Sequence, residues 1–67
     1  MKVFSERLKE LRLEKELSAI ELGKILNVSD STIIRWENEK ISPTIDNLYN
    51  IAIYFGVSTD YLLGLEN

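Results

Sequence analysis

The chain has 67 residues, a length at which a single small core is all that can be built. It contains no cysteine and no histidine, which excludes a disulfide scaffold, Cys/His zinc clusters and histidine-dependent catalysis. A formal net charge of −3 and a pI near 4.8 argue against a basic domain that finds phosphate by bulk electrostatics.

The charge is unevenly spread. All 8 Lys and Arg lie in residues 1–40, where as many acids offset them, while Asp46, Asp60 and Glu66 stand without a cation and supply the whole −3. Any anion-facing surface therefore belongs to the N-terminal two thirds. No apolar run approaches the roughly 20 residues that span a bilayer. The start, Met1-Lys2-Val3-Phe4-Ser5-Glu6, lacks the apolar stretch of a signal peptide. These features predict one soluble, cytoplasmic domain over residues 1–67.

In chain order, a first helix is expected over Ser5–Lys15, following Phe4, with Phe4, Leu8 and Leu11 at spacings of four and three on its apolar stripe. A second begins at Ser18, where Ser18-Ala19-Ile20-Glu21 fits a capping box. Leu22, Ile25 and Leu26 are predicted to face inward from it. Asn27 tolerates the left-handed conformation that ends a helix, and Ser29 caps the next one. That third helix, about Asp30 to Glu37, turns Ile33 and Trp36 inward, with Asp30 near its positive end. After a loop containing Pro43, a fourth helix from about Ile45 to Phe55 carries Ile45, Leu48, Ile51, Ala52 and Phe55, and Gly56 stops it. A short last helix, Thr59 to Leu63, closes at Gly64. Apolar residues recur at three and four rather than at two, so the expected fold class is all-α with five helices.

The spacing from Ala19 to Asn38 carries a more specific signal. A helix-turn-helix needs two helices crossing through a turn of a few residues, so that the second can enter a DNA major groove while the first braces it. Leu22, Leu26, Val28, Ile33 and Trp36 are the residues that join the two helices. Gly23 is the small residue at their closest approach, and Asn27 sits where the turn wants a positive φ. An ordinary helical hairpin shares each feature singly; all of them together at these offsets favour the helix-turn-helix.

On these residues the chain resembles the helix-turn-helix family of the lambdoid phage repressors and Cro, also called the xenobiotic-response-element family. The resemblance covers nearly the whole chain: Arg7–Arg12, Glu21–Ser29, Ser31–Asn38 and the closing run Phe55–Gly64. It implies a compact, five-helix lambda-repressor-like domain that binds double-stranded DNA and regulates transcription, as a repressor. It further implies base reading by Asp30, Ser31, Ile34 and Arg35. Arg35 can bind guanine O6 and N7 in bidentate fashion, Ser31 can pair with several groups, and Ile34 suits a thymine methyl. Asp30 has two readings: contact with cytosine N4, or simple stabilisation of the helix start.

The resemblance also places phosphates at the N-termini of the second and fourth helices, near Ser18 and Thr44; Lys24 and Lys40 have two readings, contact with the DNA backbone or simple solvated charges. A glutamine usually follows the second helix's cap; here that position is Ala19. An ion pair between Arg12 and Glu37 is implied, and Glu39 stands where the family often has glycine. For Tyr54, Tyr61, Leu62 and Leu65 two readings stay open: a self-complementary patch for a homodimer on a two-fold symmetric operator, or closure of a small core.

No cofactor, metal or small-molecule effector is implied, and no phosphate-binding glycine loop or catalytic carboxylate pair is present, so an enzyme is not expected. The competing function is a protein-interaction module, antitoxin-like or an antirepressor partner, that keeps the helix-turn-helix as scaffold.

Overall fold

Hydroxyl residues open four of the five helices formed by the described residues, and each does so by accepting a backbone N–H three residues on. Ser18 accepts from Glu21, Ser29 from Thr32, Thr44 from Asn47 and Ser58 from Tyr61. The computed structural model describes residues 1–66; residue 67, part of the expected domain, lies outside the described residues. The elements are α1 (Lys2–Glu14), α2 (Ala19–Leu26), α3 (Asp30–Glu37), α4 (Ile45–Phe55) and α5 (Thr59–Leu63). No strand occurs among the described residues, so the all-α expectation holds. None of these helices is long and apolar enough to cross a membrane.

Left-handed residues end three of the helices: Asn27 at φ 60°, Gly56 at 67° and Gly64 at 78°. The capping box at Ser18 is complete, because Glu21 Oε1 also accepts from Ser18 N at 2.8 Å. That backbone hydrogen bond, then the Ser18 hydroxyl and more weakly the charge of Lys24, hold the Glu21 carboxyl below its ordinary pKa of 4.5. A carboxyl whose pKa is lowered by folding stabilises the fold above its ordinary range, and that stabilisation disappears as pH falls through the lowered value. Glu21→Ala should therefore reduce the urea midpoint at neutral pH and reduce it progressively less from about pH 5 downward. A deficit independent of pH would show that the carboxylate contributes nothing as a cap.

The core is formed by Phe4 and Leu8 of α1, Leu22 and Leu26 of α2, Ile33 and Trp36 of α3, Ile51 and Ala52 of α4, and Leu62 of α5. Trp36 meets Phe4 edge to face, with ring centroids 6.3 Å apart, a geometry that suits the ring quadrupoles. The Ser5 hydroxyl, buried in α1, reaches the Trp36 carbonyl at the end of α3 and also the Met1 carbonyl at 2.9 Å. Its single proton serves one of the two at a time.

Several expectations are corrected. The first helix begins at Lys2 rather than at Ser5, because Ser5 is used in packing against α3 and not as a cap. Ile25, expected inside, is exposed: only Leu22, Gly23 and Leu26 of α2 are buried, and Ile25 projects toward α4 instead. Ile45 sits in the first turn of α4, beyond the reach of the core, and is 85% exposed. Leu62, offered as a dimer contact, is fully buried and belongs to the core-closing alternative. Glu39 has a φ of 62° and Glu16 one of 56°, a left-handed conformation that costs a non-glycine residue about 1 kcal/mol. The strain at Glu39 follows from its missing glycine; that at Glu16 had no local signal.

Candidate nucleic-acid interface

The α2–turn–α3 unit is held from inside by Gly23. A methyl group there would lie 2.7 Å from the Val28 carbonyl oxygen and 3.3 Å from the Asp30 nitrogen, so the backbone of the turn passes directly over the α-carbon. The Val28 N–H donates to the Gly23 carbonyl at 2.9 Å, tying the turn to α2 at that point. With Ile33 and Trp36 buried, the register of α3 is set, and its remaining face must point outward.

That outward face carries Asp30, Ser31, Ile34 and Arg35, all exposed and spaced one, four and five residues apart along one side of the helix. Ile34 is an apolar side chain among polar ones. The three arginines of the chain have different fates. Arg7 stacks over the Tyr61 ring with its guanidinium 4.2 Å from the centroid. Its Nη1 donates to the Tyr61 carbonyl and, at 2.8 Å, to that of Glu66.

Arg12 is committed to Glu37. Its Nε donates to Glu37 Oε2 at 2.7 Å and its Nη2 to Oε1 at 2.9 Å, while Nη1 reaches the Leu17 carbonyl at 2.8 Å. The two side chains are only 14% and 7% exposed. The hydrogen bond to Glu37 raises the Arg12 pKa above its ordinary value, outweighing the desolvation that lowers it. The pair thus joins α1 to the end of α3 and fixes the tilt of the helix that bears the outward face. Arg35, by contrast, has no ion-pair partner among the described residues, and its guanidinium is presented to solvent.

Ser18, Lys24, Lys40 and Thr44 are exposed as well. The Lys40 N–H donates to the Arg35 carbonyl at 2.9 Å, so the loop leaves directly from the end of α3. At the two helix starts, capping leaves the N–H groups of Ala19 and Ile20 and of Ile45 and Asp46 free of side-chain caps. Each of those ends already carries an acid in its first turn, Glu21 or Asp46, which offsets part of the dipole's attraction for an anion.

Of the four residues offered for a dimer patch, the structure keeps two on the surface in different settings. Leu65 is exposed, and Tyr54 lines a groove with Ile25, Leu26, Asn27, Asn50 and Ile53. Tyr61 lies under Arg7 and Leu62 is inside. The sequence reading missed the groove, although its signal was present: Ile45, Tyr49 and Ile53 recur every four residues on α4 beside the inward stripe, so the helix is apolar on two sides.

Comparison with known proteins matches residues 8–62 to the helix-turn-helix family. Among curated proteins, the chain is 38% identical to the HTH-type transcriptional activator BcrR of Enterococcus faecalis over 94% of its length and 31% of that protein's. It is 34% identical to the HTH-type transcriptional regulator ImmR of Bacillus subtilis, covering 91% of this chain and 48% of ImmR. The chain thus spans a third to a half of the length of these relatives.

Among solved structures, the P22 c2 repressor in complex with a synthetic operator superposes with a TM-score of 0.85 at 29% identity, over 92% of this chain and 94% of that one. The hydroxypropylphosphonic acid epoxidase of S. wedmorenis gives 0.81 at 29% identity, but the match takes in 32% of that chain. The curated relatives BcrR and ImmR are both named as transcriptional regulators. With a helix-turn-helix built on Gly23 and a fold that follows the P22 c2 repressor over 92% of its length, the chain belongs to the helix-turn-helix family of DNA-binding transcriptional regulators of the phage-repressor and Cro type.

Proposed function

We propose that the chain is a sequence-specific regulator that docks α3 in the DNA major groove and acts as a homodimeric repressor. The observation that carries this reading is the outward face of α3, on which Arg35 is the one arginine not engaged within the described residues. Arg35 reads a guanine, Ile34 meets a thymine methyl and Ser31 hydrogen-bonds an adjacent base. Asp30 serves chiefly the helix start. Lys24, Lys40 and the free amides after Ser18 and Thr44 position the phosphate backbone. Repression is favoured by the likeness to the P22 c2 repressor over 94% of that chain; the likeness to the activator BcrR covers only 31% of that protein.

Selection from a pool of random duplexes at moderate salt tests the proposal. A consensus site is expected, and Arg35→Ala should weaken binding to it by about 1–3 kcal/mol, roughly fivefold to 150-fold, and erase the preference at one base position. Recovery of no consensus, or of one indifferent to Arg35, would sink the reading. It would favour instead a protein-interaction module, for which the acids Glu21 and Asp46 at both helix starts argue.

A further inference from the structure

Ile34 is the apolar member of the outward face of α3 and is 47% exposed. Asp30 stands one turn before it and Arg35 directly after it. The start of α3 is capped by the Ser29 hydroxyl, which accepts the Thr32 N–H at 3.1 Å, so the Asp30 carboxylate is not consumed as a cap. It has no ion-pair partner among the described residues, and neither has Arg35. An acceptor, an apolar group and a bidentate donor therefore follow one another along one side of the helix.

Each of these groups answers a feature of a base edge in the major groove. An apolar side chain matches a C5 methyl group, and arginine matches guanine O6 and N7. Ile34 has no polar atom, so it responds to the methyl and not to the rest of the ring. Thymine carries that methyl, and 5-methylcytosine carries the same one. The two bases differ at the next ring position, where thymine has the O4 acceptor and cytosine the N4 amino donor. A carboxylate accepts from the amino group and opposes the carbonyl oxygen. Residues four apart on a helix have β-carbons roughly 5–6 Å from one another, so Asp30 and Ile34 are placed to converge on adjacent atoms of one base.

We propose that α3 reads a pyrimidine by its methyl group, so that 5-methylcytosine replaces thymine at the base pair under Ile34 and occupancy of the DNA site follows its methylation state. The proposal rests on the docking of α3 in the major groove and extends that reading from base sequence to chemical modification. An unmethylated cytosine leaves Ile34 against a hydrated edge; the methyl group displaces that water and is buried against the side chain. One buried group of this size is worth about fourfold in affinity. Asp30 then makes 5-methylcytosine at least as good a target as thymine. Base pairs stack about 3.4 Å apart, so the guanine read by Arg35 lies within about two base pairs of the methylated one.

The test starts from a duplex selected as above. The base pair under Ile34 is the position whose preference Ile34→Ser loses. Thymine, uracil, 5-methylcytosine and cytosine are placed there in turn, each with its Watson–Crick partner, and affinities are compared at one salt concentration. Thymine should bind about fourfold more tightly than uracil, and 5-methylcytosine about fourfold more tightly than cytosine. With Ile34→Ser, each methylated duplex should fall within about twofold of its unmethylated counterpart. Ile34 is exposed, so the variant should keep the helical circular-dichroism spectrum. If 5-methylcytosine binds no more tightly than cytosine, if no position depends on Ile34, or if the methyl effect survives Ile34→Ser, the proposal is overturned, while an Arg35-dependent consensus would leave the docking of α3 standing. Recovery of no consensus would overturn both.

Discussion

Gly23→Val should cost the domain about 3 kcal/mol or more, a large share of the stability available to a chain of this size. A β-carbon at this position would stand 2.7 Å from the Val28 carbonyl oxygen and 3.3 Å from both the Ser29 carbonyl carbon and the Asp30 nitrogen. All three are backbone atoms of the turn, so no flexible side chain can swing away. Relief requires α3 to move off α2, which would open the contact of Leu22 and Leu26 with Ile33 and Trp36. Overpacking a tight core costs about 1–3 kcal/mol and more where backbone must shift. Valine offers little gain in helix propensity to offset that cost. At about 0.05–0.15 kcal/mol per residue, a chain of this size is stable by only some 3–10 kcal/mol.

Gly56→Ala is the contrast. It places a methyl group in open space at a φ of 67°, and should cost about 1 kcal/mol for the left-handed backbone alone. Thermal unfolding of the two variants checks both numbers. Equal losses would mean that close packing at Gly23 does not set the helix-turn-helix angle.

Arg12→Met should cost about 3 kcal/mol or more, because it strands the nearly buried Glu37 carboxylate and leaves the Leu17 carbonyl without its donor. The double variant Arg12→Met with Glu37→Leu should recover at least half of that loss. A buried ion pair replaced as a whole by apolar groups is often close to neutral, whereas half of one is not. A double-mutant cycle in urea measures the coupling. The raised Arg12 pKa sets the sign of the pH dependence. The guanidinium's share of the stabilisation is fully present below arginine's ordinary value and is lost as pH rises through the raised one. The coupling should accordingly be flat across neutral pH. Losses that simply add would reduce the pair to two independent surface charges.

These two contacts also show how far the sequence could be read. The helix starts at Ser18, Ser29 and Thr44 and the ends at Asn27 and Gly56 were legible because each is decided within about four residues, by a hydroxyl or a left-handed residue. Gly23 was legible for a similar reason, since α2 and the turn it packs against are close in the chain. Arg7 carried no such signal: its partners, the carbonyls of Tyr61 and Glu66, lie at the other end of the sequence. Leu62 and Ile45 were misplaced because an apolar residue at helical spacing specifies a face, while tertiary packing decides how far the core extends along it. In the candidate interface, the outward positions Asp30, Ser31, Ile34 and Arg35 followed from the inward Ile33 and Trp36. What singles out Arg35 among the arginines came only from the structure, which commits Arg7 and Arg12 elsewhere.

The central claim is that α3 is the DNA-reading surface and that α4's outer side is not. Backbone amide NMR shifts followed while a selected duplex is added to the chain test it most directly. The largest changes are expected at Ser31, Ile34 and Arg35, with smaller ones at Ala19, Ile20, Lys40, Ile45 and Asp46 and none at Tyr49 or Ile53 beyond those that dimerisation alone produces. Changes confined to α4 and α5, with α3 silent, would contradict it.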